Sequence, residues 1–72
     1  MSMELIRLSV NMNTETAAAL KQLAARDDVT VTEEVRRAVG VKKFISDEQL
    51  KGRIIIVEDR DGRNRRELVL LP

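Results

Sequence analysis

The chain has 72 residues, with 13 Lys and Arg against 12 Asp and Glu, a formal net charge of +1, and neither His nor Cys. That length makes one small domain, near the limit at which a single core is self-sufficient. The missing thiols and imidazoles exclude disulfides and any metal site of the His/Cys kind, and the near-neutral balance argues against attachment to nucleic acid by bulk attraction.

The first element in chain order is a strand at residues 5–12, Leu-Ile-Arg-Leu-Ser-Val-Asn-Met. Ile6, Leu8, Val10 and Met12 share one face of it, and Arg7, Ser9 and Asn11 share the other. No second strand follows nearby, so its backbone groups need a partner from elsewhere, and the obvious donor is the same strand of a second copy. Asn13 or Thr14 then caps a helix with Glu15 in its first turn. Ala17, Leu20, Leu23 and Ala24 give that helix an apolar stripe to about Arg26, and Asp27 and Asp28 break it.

Thr30 caps a second helix, with Glu33 three residues on as a capping box. Val31, Val35, Ala38, Val39, Val41, Phe44 and Ile45 form a broad apolar stripe to about Leu50. Gly40 sits inside this helix, where it costs roughly 1 kcal/mol against Ala; the expected reason is close approach of another backbone, the partner's matching helix. Gly52 ends the helix as a C-cap. Arg53-Ile-Ile-Ile-Val57 reads as a strand, Asp61-Gly62 as a turn and Glu67-Leu-Val-Leu-Leu71 as the returning strand of a β-hairpin. The hairpin reads as apolar on both faces near its base and strongly charged at its tip.

Phe44 is the one aromatic residue, so a core must be built from Leu, Ile, Val and Ala, and a dimer that fuses two half-cores is the natural remedy. The longest apolar run is far short of a membrane span. The start Met-Ser-Met-Glu lacks the basic and apolar regions of a signal peptide. A cytoplasmic protein without a membrane partner is expected. Charge is spread evenly: residues 1–28 hold three basic and four acidic side chains, 29–52 five and four, and 53–72 five and four. No segment is a polybasic tail, so any DNA binding must rest on geometry more than on net charge.

The order strand, helix, helix over residues 5–50, with Arg-Leu-Ser-Val-Asn-Met at 7–12, Leu20-x-x-Leu23-Ala24 and Val29-Thr-Val-Thr-Glu-Glu-Val-Arg-Arg-Ala38, resembles the ribbon-helix-helix family of Arc, MetJ and CopG-like repressors. The resemblance covers about two-thirds of the chain. It implies an α+β, mostly α fold: an intertwined homodimer with an intermolecular antiparallel β-ribbon. Residues 1–52 are then a DNA-binding domain, and 53–72 a C-terminal hairpin extension. The dimer core implied is Ile6, Leu8, Val10, Leu20, Leu23, Val35, Ala38 and Val39. In that family the outward strand residues read bases, which carries over to Arg7, Ser9 and Asn11. The chemistry suits the role, since Arg binds guanine O6 and N7 in bidentate fashion, Asn does the same to adenine N6 and N7, and Ser is a short adaptable donor and acceptor. The family also anchors phosphate on amides at the start of its second helix, here Thr30, Val31 and Thr32, where free N–H groups meet the positive end of the helix dipole.

Blander readings stand beside these. The strand could be half-buried with a solvated polar face, the helix start an ordinary cap, and Arg36, Arg37, Lys42 and Lys43 a solvated helix face rather than a DNA patch. Catalysis has little support, because no nucleophile and base stand at a working spacing, and no enzyme activity or cofactor is expected. Asp59-x-Asp61-Gly62 matches part of a calcium loop but lacks the other ligands, and a charged hairpin turn explains it better. There is no glycine-rich phosphate loop.

These readings point to sequence-specific binding of double-stranded DNA by a homodimeric transcriptional repressor, its β-ribbon inserted in the major groove. One alternative is an antitoxin that represses its own operon and binds a toxin through its C-terminal part. Another is a protein-binding assembly module without a DNA role. A folded apolar hairpin weighs against the antitoxin, whose family members often end in a long polar segment.

From Thr30 to Leu50 a helix runs roughly 30 Å, so a second helix that starts at phosphate carries residues 53–72 to the far side of the dimer. The hairpin base of Ile54, Ile56, Leu68 and Leu70 is expected to pack on the helices or pair with another chain's hairpin, leaving the tip to a protein partner or neighbouring dimers on tandem sites. Changing Arg60, Arg63, Arg65 and Arg66 together to Gln should leave the salt dependence of binding to one isolated DNA site unchanged. A folded variant with a clearly shallower slope would put the hairpin on DNA.

Overall fold

A computed structural model describes residues 4–70. In chain order they form α1 (Thr14–Asp27), α2 (Val31–Leu50), β1 (Ile55–Val57) and β2 (Arg66–Leu68), an α+β chain that is mostly helical. The first three residues, on which the reading of the N-terminus rests, and Leu71, the expected end of the last strand, lie outside the described residues. The chain divides into two units, one ending at Glu34 and the other beginning at Val35.

In the first unit, residues 4–13 form neither helix nor strand. The strand read at 5–12 is not made within the single chain, whose described strands, β1 and β2, pair with each other. The α1 start is settled by Asn13, not Thr14: Asn13 is extended at φ −70° and ψ 165°, and its Oδ1 accepts the Thr16 N–H at 2.7 Å. The helix runs one residue past Arg26. There Asp28 takes the left-handed region, at φ 54°, which Asp tolerates better than most residues. The Asp28 N–H reaches the Ala25 carbonyl at 3.2 Å and the Val29 N–H reaches that of Ala24 at 3.0 Å, the two bonds of a Schellman ending. Asp28 thus caps the helix as well as stopping it. Thr30 opens α2 as expected, its Oγ1 accepting the Glu33 N–H at 3.1 Å. Ala24 and Glu34 are the buried residues of this unit.

In the second unit α2 continues to Leu50 and closes by the same device. Gly52 lies at φ 81°, the Gly52 N–H reaches the Gln49 carbonyl at 3.0 Å, and the Arg53 N–H reaches that of Glu48 at 3.1 Å. An ion pair from Arg53 Nη1 to Glu48 Oε2, at 2.6 Å, ties the chain leaving the helix back to its last turn. Apart from its own helix backbone, nothing among the described residues lies within 4 Å of a Cβ built on Gly40, so they do not supply the backbone approach expected there.

The hairpin is shorter than the sequence reading. Pairing is confined to Ile55 with Leu68, Ile56 with Glu67 and Val57 with Arg66. Since directly opposed residues share a face and neighbours alternate, Ile55 and Leu68 lie on one face and Ile56 on the other. The expected base of Ile54, Ile56, Leu68 and Leu70 is therefore split between two faces. Gly62 closes the turn, its N–H on the Asp59 carbonyl at 2.9 Å, while the Asp59 N–H returns to the Arg63 carbonyl at 2.8 Å. With Gly62 at φ 85°, this is a three-residue loop ending in a glycine bulge. Asp59 faces Arg63 whereas Val57 faces Arg66, so β2's side holds an extra residue. Asn64, at φ 54°, absorbs it.

Among the described residues no large side chain is fully buried. Stability of the separate elements therefore leans on these terminal hydrogen bonds. Asn13→Ala should lower stability by about 1 kcal/mol through the lost cap. Gly52→Ala should cost about 1–2 kcal/mol through its left-handed backbone. Denaturant midpoints at unchanged slope check both.

Candidate nucleic-acid interface

Arg7, Ser9 and Asn11 lie in the segment ahead of α1, and all three are exposed. Among the described residues their side chains make no hydrogen bond or ion pair within the chain, so their donors and acceptors are open to solvent. The intervening apolar residues are as bare: Ile6 is 78% exposed, Leu8 79% and Val10 70%. An apolar run left in water on every second residue is the opposite of what a free-standing segment of a stable monomer shows. Its unpaired backbone and its uncovered side chains ask for the same thing, a neighbouring strand and a surface behind it.

The second group, Thr30, Val31 and Thr32, occupies the start of α2. Thr30 sits outside the helix as its cap, and Val31 is the first helical residue. Glu33 and Glu34 stand in the first turn. The Thr30 side chain satisfies the Glu33 amide, leaving the amides ahead of it for an outside acceptor. Those amides favour an anion, while the two carboxylates in the same turn oppose one. A phosphate there would be held by directed N–H groups, not by net positive charge.

The residues read as a dimer core are not gathered into one within the single chain. Leu20 is half-buried, whereas Leu23, Val35, Ala38 and Val39 are exposed, Val39 at 62%. Of the basic residues on α2, Lys43 is held by Asp47 at 2.7 Å in an exposed i, i+4 pair, which contributes a few tenths of a kcal/mol. The two aspartates of the hairpin tip are engaged locally. Asp59 Oδ2 accepts from Asn64 Nδ2 at 2.6 Å, and Asp61 Oδ1 accepts the Arg63 N–H at 3.1 Å. Among the described residues no group of three or more His, Cys, Asp or Glu is placed to hold a metal ion. None of the helices described is long and apolar enough to cross a membrane.

Three features escaped the sequence reading. Glu34 is buried, though periodicity assigns a first-turn Glu to solvent. The Arg53 to Glu48 pair joins residues five apart across a helix end, outside the usual i, i+4 rule. Asn64 in the left-handed region had a signal, since Asn is enriched there, but the Arg-rich context masked it. No protein-family model, curated protein or solved structure matches this chain.

Proposed function

We propose that the chain is a homodimeric, sequence-specific DNA-binding protein of ribbon-helix-helix type, acting as a transcriptional repressor. The observation that carries this reading is the alternation at residues 6–12: apolar side chains on one face, Arg7, Ser9 and Asn11 on the other, in a segment the single chain leaves exposed and unpaired. Two copies of such a segment, antiparallel about a two-fold axis, form a ribbon of the size that enters the major groove. Its apolar face covers the stripes of α1 and α2, and its polar face presents six side chains to base edges. The Thr30-capped start of α2 supports the reading with free amides suited to backbone phosphate. A symmetric reader calls for an inverted-repeat site.

Dimerisation is tested first. Unfolding should run from dimer to unfolded monomer, with a midpoint that rises with protein concentration. A concentration-independent midpoint together with a monomeric mass in solution would remove the ribbon and the proposal with it. Val10→Asp should prevent folding, because its charge would be buried under the ribbon.

Base reading is tested by selecting sites from a random DNA pool and measuring variants on the preferred one. Arg7→Ala should cost about 1–3 kcal/mol there and relax preference at one position, and Asn11→Ala should do so at another. Val31→Pro is the matched probe of phosphate contact. Proline is accepted at the first helical position, so α2 survives while one amide is lost, and binding should weaken by a similar factor on all sequences. Equal loss on preferred and random DNA for Arg7→Ala would contradict its role in base readout.

A further inference from the structure

We infer that the outer edge of β1 is a self-association edge. In this arrangement β1 of one chain pairs antiparallel with β1 of a second copy, centred on Ile56, and two hairpins join into one four-stranded sheet. The inference does not rest on the DNA reading. It starts from an incomplete sheet: β1 and β2 form two strands and no more, and an isolated two-stranded hairpin is marginal in water, three or more strands being the usual minimum. Ile54 is 62% exposed, Val57 55% and Val69 62%, so apolar surface remains open on the strands and beside them.

The two edges differ. On the β2 side the chain carries Arg65, Arg66 and Glu67 in a row, with the Asn64 bulge just ahead. Charge and a bulge are the usual means of closing an edge to strangers. The β1 side runs Ile54-Ile-Ile-Val57, all β-branched, without charge, proline or bulge. Its backbone direction follows from the turn. Asp59 gives its N–H to Arg63 and accepts from Gly62, so its peptide groups face β2. Stepping back by two, those of Val57 and Ile55 do the same, and those of Ile54, Ile56 and Glu58 face outward.

Self-complementarity selects the second copy and the register. Centring on Ile56 sets Ile55 opposite Val57 of the second copy, Ile54 opposite its Glu58 and Arg53 opposite its Asp59, so that a single apolar-to-charge pairing on each side is accompanied by a cation that meets an anion twice by symmetry. Moving the centre to Val57 sets both Ile55 against Asp59 and Ile56 against Glu58, at least doubling the apolar-to-charge pairings. Moving it to Ile55 sets Arg53 against Val57 and loses the ion pairs. The intrachain bonds of Arg53 to Glu48 and of Asp59 to Asn64 leave room for this, because a guanidinium has five donors and a carboxylate about four acceptor sites.

The chain has no cysteine, so single-cysteine variants of the full chain report the pairing directly. Ile56→Cys stands on the two-fold axis in a hydrogen-bonded pair, with Cα atoms about 5.5 Å apart, within reach of a disulfide. Mild oxidation without DNA should convert most of it to a covalent two-chain species on a non-reducing gel. Glu67→Cys, on the outer strands and roughly 14 Å from its mate at sheet spacing, should stay largely single. No cross-link at Ile56, or equal cross-linking at both positions, overturns the inference. Amide exchange on the unaltered protein gives the second reading. The outward amides of Ile54, Ile56 and Glu58 should exchange at least about tenfold more slowly than unpaired peptide, and should speed up on dilution. Exchange at the unpaired rate at high protein concentration also overturns it. Because DNA enters neither measurement, failure here and failure of the repressor reading are separate results.

Discussion

A chain of 72 residues with a single Phe has little material for enclosing apolar groups, and its amphipathic segments all look for cover at once. The segment before α1, the stripe along α2 and the hairpin each present Leu, Ile or Val to solvent, while Ala24 and Glu34 alone are buried among the described residues. A hydrophobic face contributes roughly 25 cal/mol for each Å² withdrawn from water, and an uncovered face contributes nothing. Everything the chain does beyond forming its separate elements therefore depends on what is brought against those faces.

What the chain settles alone is local. Both helices open on a side-chain oxygen, from Asn13 and from Thr30, and both close on a left-handed residue with the same pair of backbone bonds, at Asp28 and at Gly52. Each of these bonds spans three to five residues. They can form in a helix that packs on nothing, which explains how two well-bounded helices coexist with so little core.

The same distinction explains how much was legible beforehand. Thr30, Gly52 and the existence of both helices and the hairpin were readable because capping and periodicity act within a few residues. The ends of elements were less so: Asn13 and Thr14 are equally good caps on paper, and Asp27 and Asp28 are equally able to take a left-handed backbone. The hairpin register was not legible because Arg53–Val57 and Glu67–Leu71 are apolar almost throughout, so alternation, the usual guide to which side chains share a face, is missing. At the candidate interface, the residue types at 7, 9 and 11 and their common parity were plain in the sequence. A partner strand for them was not, and the described residues of the single chain supply none.

The terminal bonds that bound α1 and α2 also bear on time. Structure closed by neighbours three to five residues apart forms quickly, because little loop entropy is lost before the contact is made: helices in about a microsecond, a hairpin in a few. Joining chains is a second-order event whose rate falls with dilution. If the chain associates as proposed, a newly made copy would thus hold its helices and hairpin long before it met another. During that wait its Ile54–Val57 edge is open to any extended peptide nearby. The interval between local folding and encounter, set by cellular abundance rather than by the fold, is then the period in which such a chain is most exposed to proteases and to wrong partners.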